Sequence, residues 1–165
     1  MQSRSDRTRF AFGTMNADKA SVGGMDHGQL GEVSILEDEP MLATLAADVC
    51  SGLGASSATF DSPAACLDAA RASPPRALVL DWRLRGELGA AAFLAMRHRY
   101  PLLPVVCWTA SQPPHLPEMI LRDPMTRLVD KAAGVEQFEA ALRWALAFAE
   151  REEGGRDVGP VSHPT

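Results

Sequence analysis

Apolar residues along the chain fall into short blocks of two alternating kinds. "EVSIL", "ASSATF", "RALVLD", "LLPVVCWT" and "TRLVD" are runs too short for helices and rich in strand-favouring residues, so each predicts a β-strand. Between them lie longer stretches with helical spacing. "PMLATLAADVCSGLG" sets Leu42, Leu45, Ala46, Val49 and Leu53 at helical intervals before Gly54 stops it. "DSPAACLDAARAS" opens with Ser62 as an N-cap and Pro63 at the first helical position. "ELGAAAFLAMRHRY" predicts a third helix. "PEMILRD" predicts a short fourth, because Pro113, Pro114 and Pro117 forbid an earlier start. "GVEQFEAALRWALAFAERE" predicts the last, with Val135, Phe138, Leu142, Ala145 and Ala149 on one face.

Strict alternation of strand and helix predicts an α/β domain, a doubly wound parallel sheet with helices on both faces. Unbroken apolar strands such as "ALVL" belong in such a sheet, because both of their faces are covered. Residues 1–31 carry no apolar period and predict a flexible N-terminal tail; the domain is expected over 32–150, and 151–165 as a C-terminal tail.

Composition narrows the function classes. A net charge of −5 without clustered Lys and Arg argues against nucleic acid as the main partner. No stretch of about 18 apolar residues predicts a membrane span, and the first 30 residues lack the apolar centre of a secretory signal. Cys50, Cys66 and Cys107 sit inside apolar segments, which predicts buried thiols in a reducing, cytoplasmic setting.

In an open parallel sheet, ligands bind beyond the carboxyl ends of the strands. The predicted strands end on Glu37 and Asp38, on Asp81, on Thr109 and on Lys131, so one rim collects three carboxylates, a hydroxyl and an amine. Crowded carboxylates need a cation. Mg²⁺, which takes oxygen ligands, suits this set better than zinc, since no His or Cys lies at these ends. A carboxylate beside such an ion can attack phosphorus, with an amine and a hydroxyl available to the transferring oxygens. The chemistry implied is phosphoryl transfer onto Asp81.

These residues resemble the receiver domain of two-component response regulators. The matching pieces are "ILEDEP", "LVLDWRL", "CWTA" and the lone Lys131, and the resemblance spans about 32 to 150. It implies a flavodoxin-like (βα)5 sandwich with strand order 2-1-3-4-5. It implies Asp81 as phosphoacceptor, and Mg²⁺ held by Asp38, Asp81, the Arg83 backbone carbonyl and, through water, Glu37. Lys131 would bind the acyl phosphate and Thr109 would move toward it. The implied phosphodonor is a histidine kinase or histidine phosphotransfer protein, and the output a contact with another protein, unidentified, rather than enzyme turnover. The expectation is a stand-alone receiver.

The chain departs from the family pattern at five places: Leu128 replaces the usual aromatic, Ala132 the Pro after the Lys, Arg85 the Pro after the acceptor, "DPM" the Gly-Ala before the last strand, and the "SQPPHLP" loop shortens the fourth helix. A second apolar strip on the last helix, Ala140, Ala141, Trp144, Ala147 and Phe148, is a candidate homodimer or partner surface anchored by Trp144 and Phe148. Two rivals share parts of the pattern. A receiver-like interaction module that is never phosphorylated fits the departures. A haloacid-dehalogenase phosphatase needs an acid two residues after the nucleophile, where this chain has Arg83.

Overall fold

The unbroken apolar runs divide residue by residue between two faces of a sheet, and that division builds the fold. The computed structural model describes residues 33–85, 87–110 and 118–156. Strands β1 (Val33–Leu36), β2 (Ser57–Phe60), β3 (Ala77–Leu80), β6 (Val105–Thr109) and β7 (Thr126–Asp130) form one parallel sheet. A two-residue hairpin, β4 (Arg83–Leu84) with β5 (Glu87–Leu88), takes the intervening numbers. The sheet order β2-β1-β3-β6-β7 is therefore the expected 2-1-3-4-5.

On one face Val33 and Ile35, Ala77 and Val79, and Val106 and Trp108 pack with α1 (Pro40–Gly52) and α5 (Val135–Arg156). On the other Leu36, Leu78, Leu80, Val105 and Cys107 pack with α2 (Pro63–Ala72) and α3 (Ala90–Arg99). Strand side chains alternate direction, so a run apolar at every position feeds both cores at once. Helix α4 (Glu118–Leu121) is one turn long and adds Ile120 to the second core.

Several local expectations hold for their stated reasons. Ser62 caps α2, its hydroxyl accepting from the Ala65 amide at 3.4 Å, and Pro63 follows in the first turn. On α5, Phe138, Leu142, Ala145 and Ala149 are buried as predicted, whereas Val135, the first residue of the helix, is 40% exposed. The helix continues to Arg156, past the point where the sequence pattern fades.

Other expectations are corrected. In α1 the buried residues are Ala43, Ala46 and Cys50, not Leu45, which is exposed. Leu42, Val49 and Leu53 are half-buried against the same core, while Leu45 and Met41 face solvent. The predicted start of the third helix at Glu87 is strand instead, and α3 begins at Ala90. Of the outer strip expected on the last helix, Ala141 belongs to the core, and Trp144 is half-buried under the Arg127 guanidinium, 4.4 Å from the ring. Phe148 is half-buried as well. The tail expected over 1–31 and most of that over 151–165 lie outside the described residues.

No helix among the described residues is long and apolar enough to cross a membrane. All three cysteines are free and buried. Burial pushes their thiols up, to about 11 for Cys50 and about 12 for Cys66 and Cys107. The neutral thiol is thus favoured in the folded state. Its contribution to stability is present below the ordinary thiol value and is lost as pH rises from there toward the folded values. A disulfide-exchange reagent at mildly alkaline pH is expected to label none of the three in the folded protein and all three in denaturant; rapid labelling of the native chain would contradict this burial.

Candidate functional site

Strand register carries the candidate residues to one place. Leu36 pairs with Leu80, so Glu37 and Asp81, the next residue of each strand, leave adjacent strands side by side. The Asp81 amide donates to the Leu36 carbonyl at 2.9 Å, continuing the ladder one residue past the strand. Thr109 pairs with Asp130 at the end of β6 and β7, and Lys131 follows at once. A 3₁₀ turn, Lys131–Ala133, begins there, and the Asp130 carboxylate accepts from the Ala132 amide at 2.8 Å.

Lys131 closes the site. Its Nζ donates to Asp81 Oδ2 at 2.7 Å and to Glu37 Oε2 at 2.6 Å, joining groups 50 and 94 residues away in sequence. The three side chains are 10%, 7% and 1% exposed, so these are buried charges. Burial pushes the Glu37 carboxyl up, and the Lys131 hydrogen bond and charge only partly offset that. Burial pulls the Lys131 ammonium down, but its contacts with Asp81 and Glu37 outweigh the effect and the net displacement is upward. Beneath the ammonium, 5.3 Å away, lies the ring of Trp108, which stacks on Phe138 at 4.4 Å.

The remaining oxygens are oriented by main chain. Asp81 Oδ1 accepts from the Arg83 amide at 2.9 Å, and Glu37 Oε1 from the Glu39 amide at 3.2 Å. Asp38, on the β1–α1 loop, accepts from the Arg85 amide at 2.8 Å. Carboxylate oxygens of Glu37, Asp38 and Asp81 lie within 4.8 Å of one another. Thr109 is 1% exposed, and its hydroxyl has no hydrogen-bond partner among the described residues. A buried hydroxyl without a partner costs free energy unless something reaches it.

All of Glu37, Asp38, Asp81, Thr109 and Lys131 thus stand on the rim where the strand ends placed them. Asp38, Asp81, Arg83, Ala110 and Lys131 line an open cleft of about 350 Å³. A larger and more apolar hollow, about 530 Å³, lies at the opposite end of the sheet among residues that precede β3 and β6. It brings together no group of carboxylates, so size does not mark the chemistry here.

The "SQPPHLP" loop lies outside the described residues; of the other departures, Arg85 is exposed in the β4–β5 turn, and the Asp123 carboxylate of "DPM" accepts from the Arg97 guanidinium at 2.7 Å. Leu128 is half-buried and packs against the second core, and Ala132 is exposed in the 3₁₀ turn.

One residue at the site escaped the sequence reading. Gly89 packs so closely under the end of β3 that a Cβ there would lie 2.6 Å from the Asp81 carbonyl oxygen. Its φ of −57° is open to any residue, so space and not conformation excludes a side chain. A glycine where the third helix needed a cap was the available signal. Gly89→Ala is expected to cost about 1–3 kcal/mol, because backbone must move to admit the methyl group. Urea unfolding measures it, and wild-type stability would show that the strand end yields freely.

Comparison with known proteins agrees with this geometry. A family model described as response regulator receiver domain matches residues 33–143. The DNA-binding transcriptional regulator NtrC of Klebsiella pneumoniae is 25% identical over 137 residues, which are 83% of this chain and 29% of that protein. The chain therefore spans less than a third of the length of that relative. Among solved structures, the apo receiver domain of nitrogen regulatory protein C superimposes with a TM-score of 0.60 at 22% identity, over 71% of this chain and 94% of that one. NtrX from Brucella abortus gives 0.65 at 21% identity, over 82% of this chain and 32% of that one.

Proposed function

The chain belongs to the response regulator receiver family, and from that premise we propose that it is a phosphoacceptor, receiving a phosphoryl group on Asp81 from a histidine kinase or histidine phosphotransfer protein. The observation that carries this reading is the meeting of Asp81, Glu37 and Lys131 from three separate strand ends beside an unpartnered Thr109 hydroxyl.

In the transfer, an Asp81 carboxylate oxygen forms a bond to phosphorus. The bond from phosphorus to the donor imidazole nitrogen breaks, and its electron pair stays on the imidazole. The Arg83 amide, already on Oδ1, keeps the carboxylate plane in a set orientation. Lys131, already on Oδ2, supplies a fixed positive charge for the incoming phosphoryl oxygens. The Thr109 hydroxyl is free to donate to one of them. Preorganised donors of this kind need little rearrangement as charge develops.

Glu37, Asp38 and Asp81 form a hard-oxygen set suited to Mg²⁺, and Arg83, on the same cleft, would offer its backbone carbonyl as a further ligand. When bound, the ion neutralises charge on the transferring oxygens. Output is a contact with another protein, favoured when the phosphorylated site rearranges the rim.

The test is to incubate the chain with acetyl phosphate and Mg²⁺ and follow its intact mass. The expected result is one phosphoryl group per chain, released by hydroxylamine and absent when the metal is chelated. No uptake from acetyl phosphate, phosphoramidate or a phosphohistidine donor would overturn the reading in favour of an interaction module that is never phosphorylated.

A further inference from the structure

Asp38 differs from the other two rim carboxylates in the cation that faces it. Glu37 and Asp81 share Lys131, a buried ammonium. Asp38 instead meets Arg85, from the turn of the β4–β5 hairpin, 47 residues on in sequence. Both contacts fall on a single oxygen: the Arg85 amide reaches Oδ2 at 2.8 Å and the guanidinium Nε reaches it at 3.4 Å. The Asp38 side chain is 12% exposed and that of Arg85 is 82% exposed. An ion pair so open to water adds little to folding. Its charge nonetheless stands at the edge of the cleft, beside the oxygens that a divalent cation would use.

We propose that Arg85 is an internal counter-cation for this site: its guanidinium takes up part of the Asp38 charge and so weakens the binding of Mg²⁺, setting the concentration at which the cleft fills. The inference rests on the reading of Asp38 as a cation ligand. Three carboxylates draw a divalent ion strongly. With Lys131 and Arg85 both in place, most of that charge is already balanced. The amide and the guanidinium have separate tasks. The amide aims the carboxylate, and any residue other than proline keeps that donor at position 85. The guanidinium contributes charge alone.

That separation permits a clean test. Arg85→Gln removes the charge and keeps the amide, while Arg85→Lys keeps both. Each chain is titrated with MgCl₂, and the dissociation constant is read by calorimetry and by tryptophan fluorescence, since Trp82 adjoins Asp81. Repulsion between a unit charge and a divalent ion across a few ångströms of wet protein surface amounts to about threefold to tenfold in affinity. Arg85→Gln is therefore expected to bind Mg²⁺ about threefold to tenfold more tightly than wild type, and Arg85→Lys within about twofold of it. The gap should shrink at high salt, a dependence that a purely structural role would not give. The thermal unfolding midpoint should be unchanged in both variants. Equal dissociation constants for wild type and Arg85→Gln overturn the proposal. If neither chain binds Mg²⁺ or Mn²⁺, the reading of Asp38 as a cation ligand falls first and takes this inference with it.

Discussion

Asp81→Asn is expected to take up no phosphoryl group under conditions in which the wild-type chain is fully modified, and to fold about as stably as wild type. Loss of function follows from chemistry: an amide oxygen is a poor nucleophile toward phosphorus, and no other carboxylate has the same support. Glu37 is 3% exposed and Asp38 already holds Arg85. Near-constant stability follows from two opposed effects. Asn has one acceptor oxygen and cannot serve both the Arg83 amide and Lys131, so one hydrogen bond is lost, at about 1 kcal/mol. In return, the like charge facing Glu37 is gone. The net change should lie within about 1 kcal/mol. Intact mass reads the first half and urea unfolding the second. Residual uptake equal to wild type would move the acceptor to another side chain.

Lys131→Met is expected to have a large effect on stability. It leaves Glu37 and Asp81 buried beside each other with no ammonium between them, and breaking a buried pair in this way costs about 3–5 kcal/mol. The pH dependence has a definite sign. Burial already holds the Glu37 carboxyl above the ordinary carboxylate range, and Lys131 is what restrains it. Without Lys131 the folded-state value rises further above the unfolded one. A raised carboxyl favours the protonated folded form, so the penalty is small at acid pH and grows as pH climbs through the carboxylate range. Adding Glu37→Gln in the same chain should recover more than half of the loss. Chemical unfolding of the single and double variants across pH measures both effects, and a single variant as stable as wild type at neutral pH would disprove the buried pair's role.

Legibility from sequence varied with the physical cause of each feature. "ALVL" and "VVCW" could be read as strands because both faces of a parallel sheet are covered, which forces an unbroken apolar run. The face of α1 could not be read in the same way. Ala46 is buried and Leu42, Val49 and Leu53 are half-buried against the core as their spacing placed them, but Leu45 is exposed and the other buried residues, Ala43 and Cys50, lie on the adjacent side of the helix. The β4–β5 hairpin is too short for any period to show, and its role in presenting the Arg83 and Arg85 amides is visible only in three dimensions. Gly89 is similar, since only the neighbouring strand shows why it lacks a side chain.

What the sequence by itself determined is which residues reach the rim. Alternating strands and helices make a parallel sheet, and a parallel sheet brings every strand's carboxyl end to the same side, so Glu37, Asp38, Asp81, Thr109 and Lys131 had to assemble there. Only the tertiary structure decided how they pair. Lys131 bridges Glu37 and Asp81, Asp38 turns to Arg85, and Thr109 keeps a hydroxyl without a partner. Those choices depend on register between strands distant in sequence and on loop torsions, neither of which leaves a period in the chain.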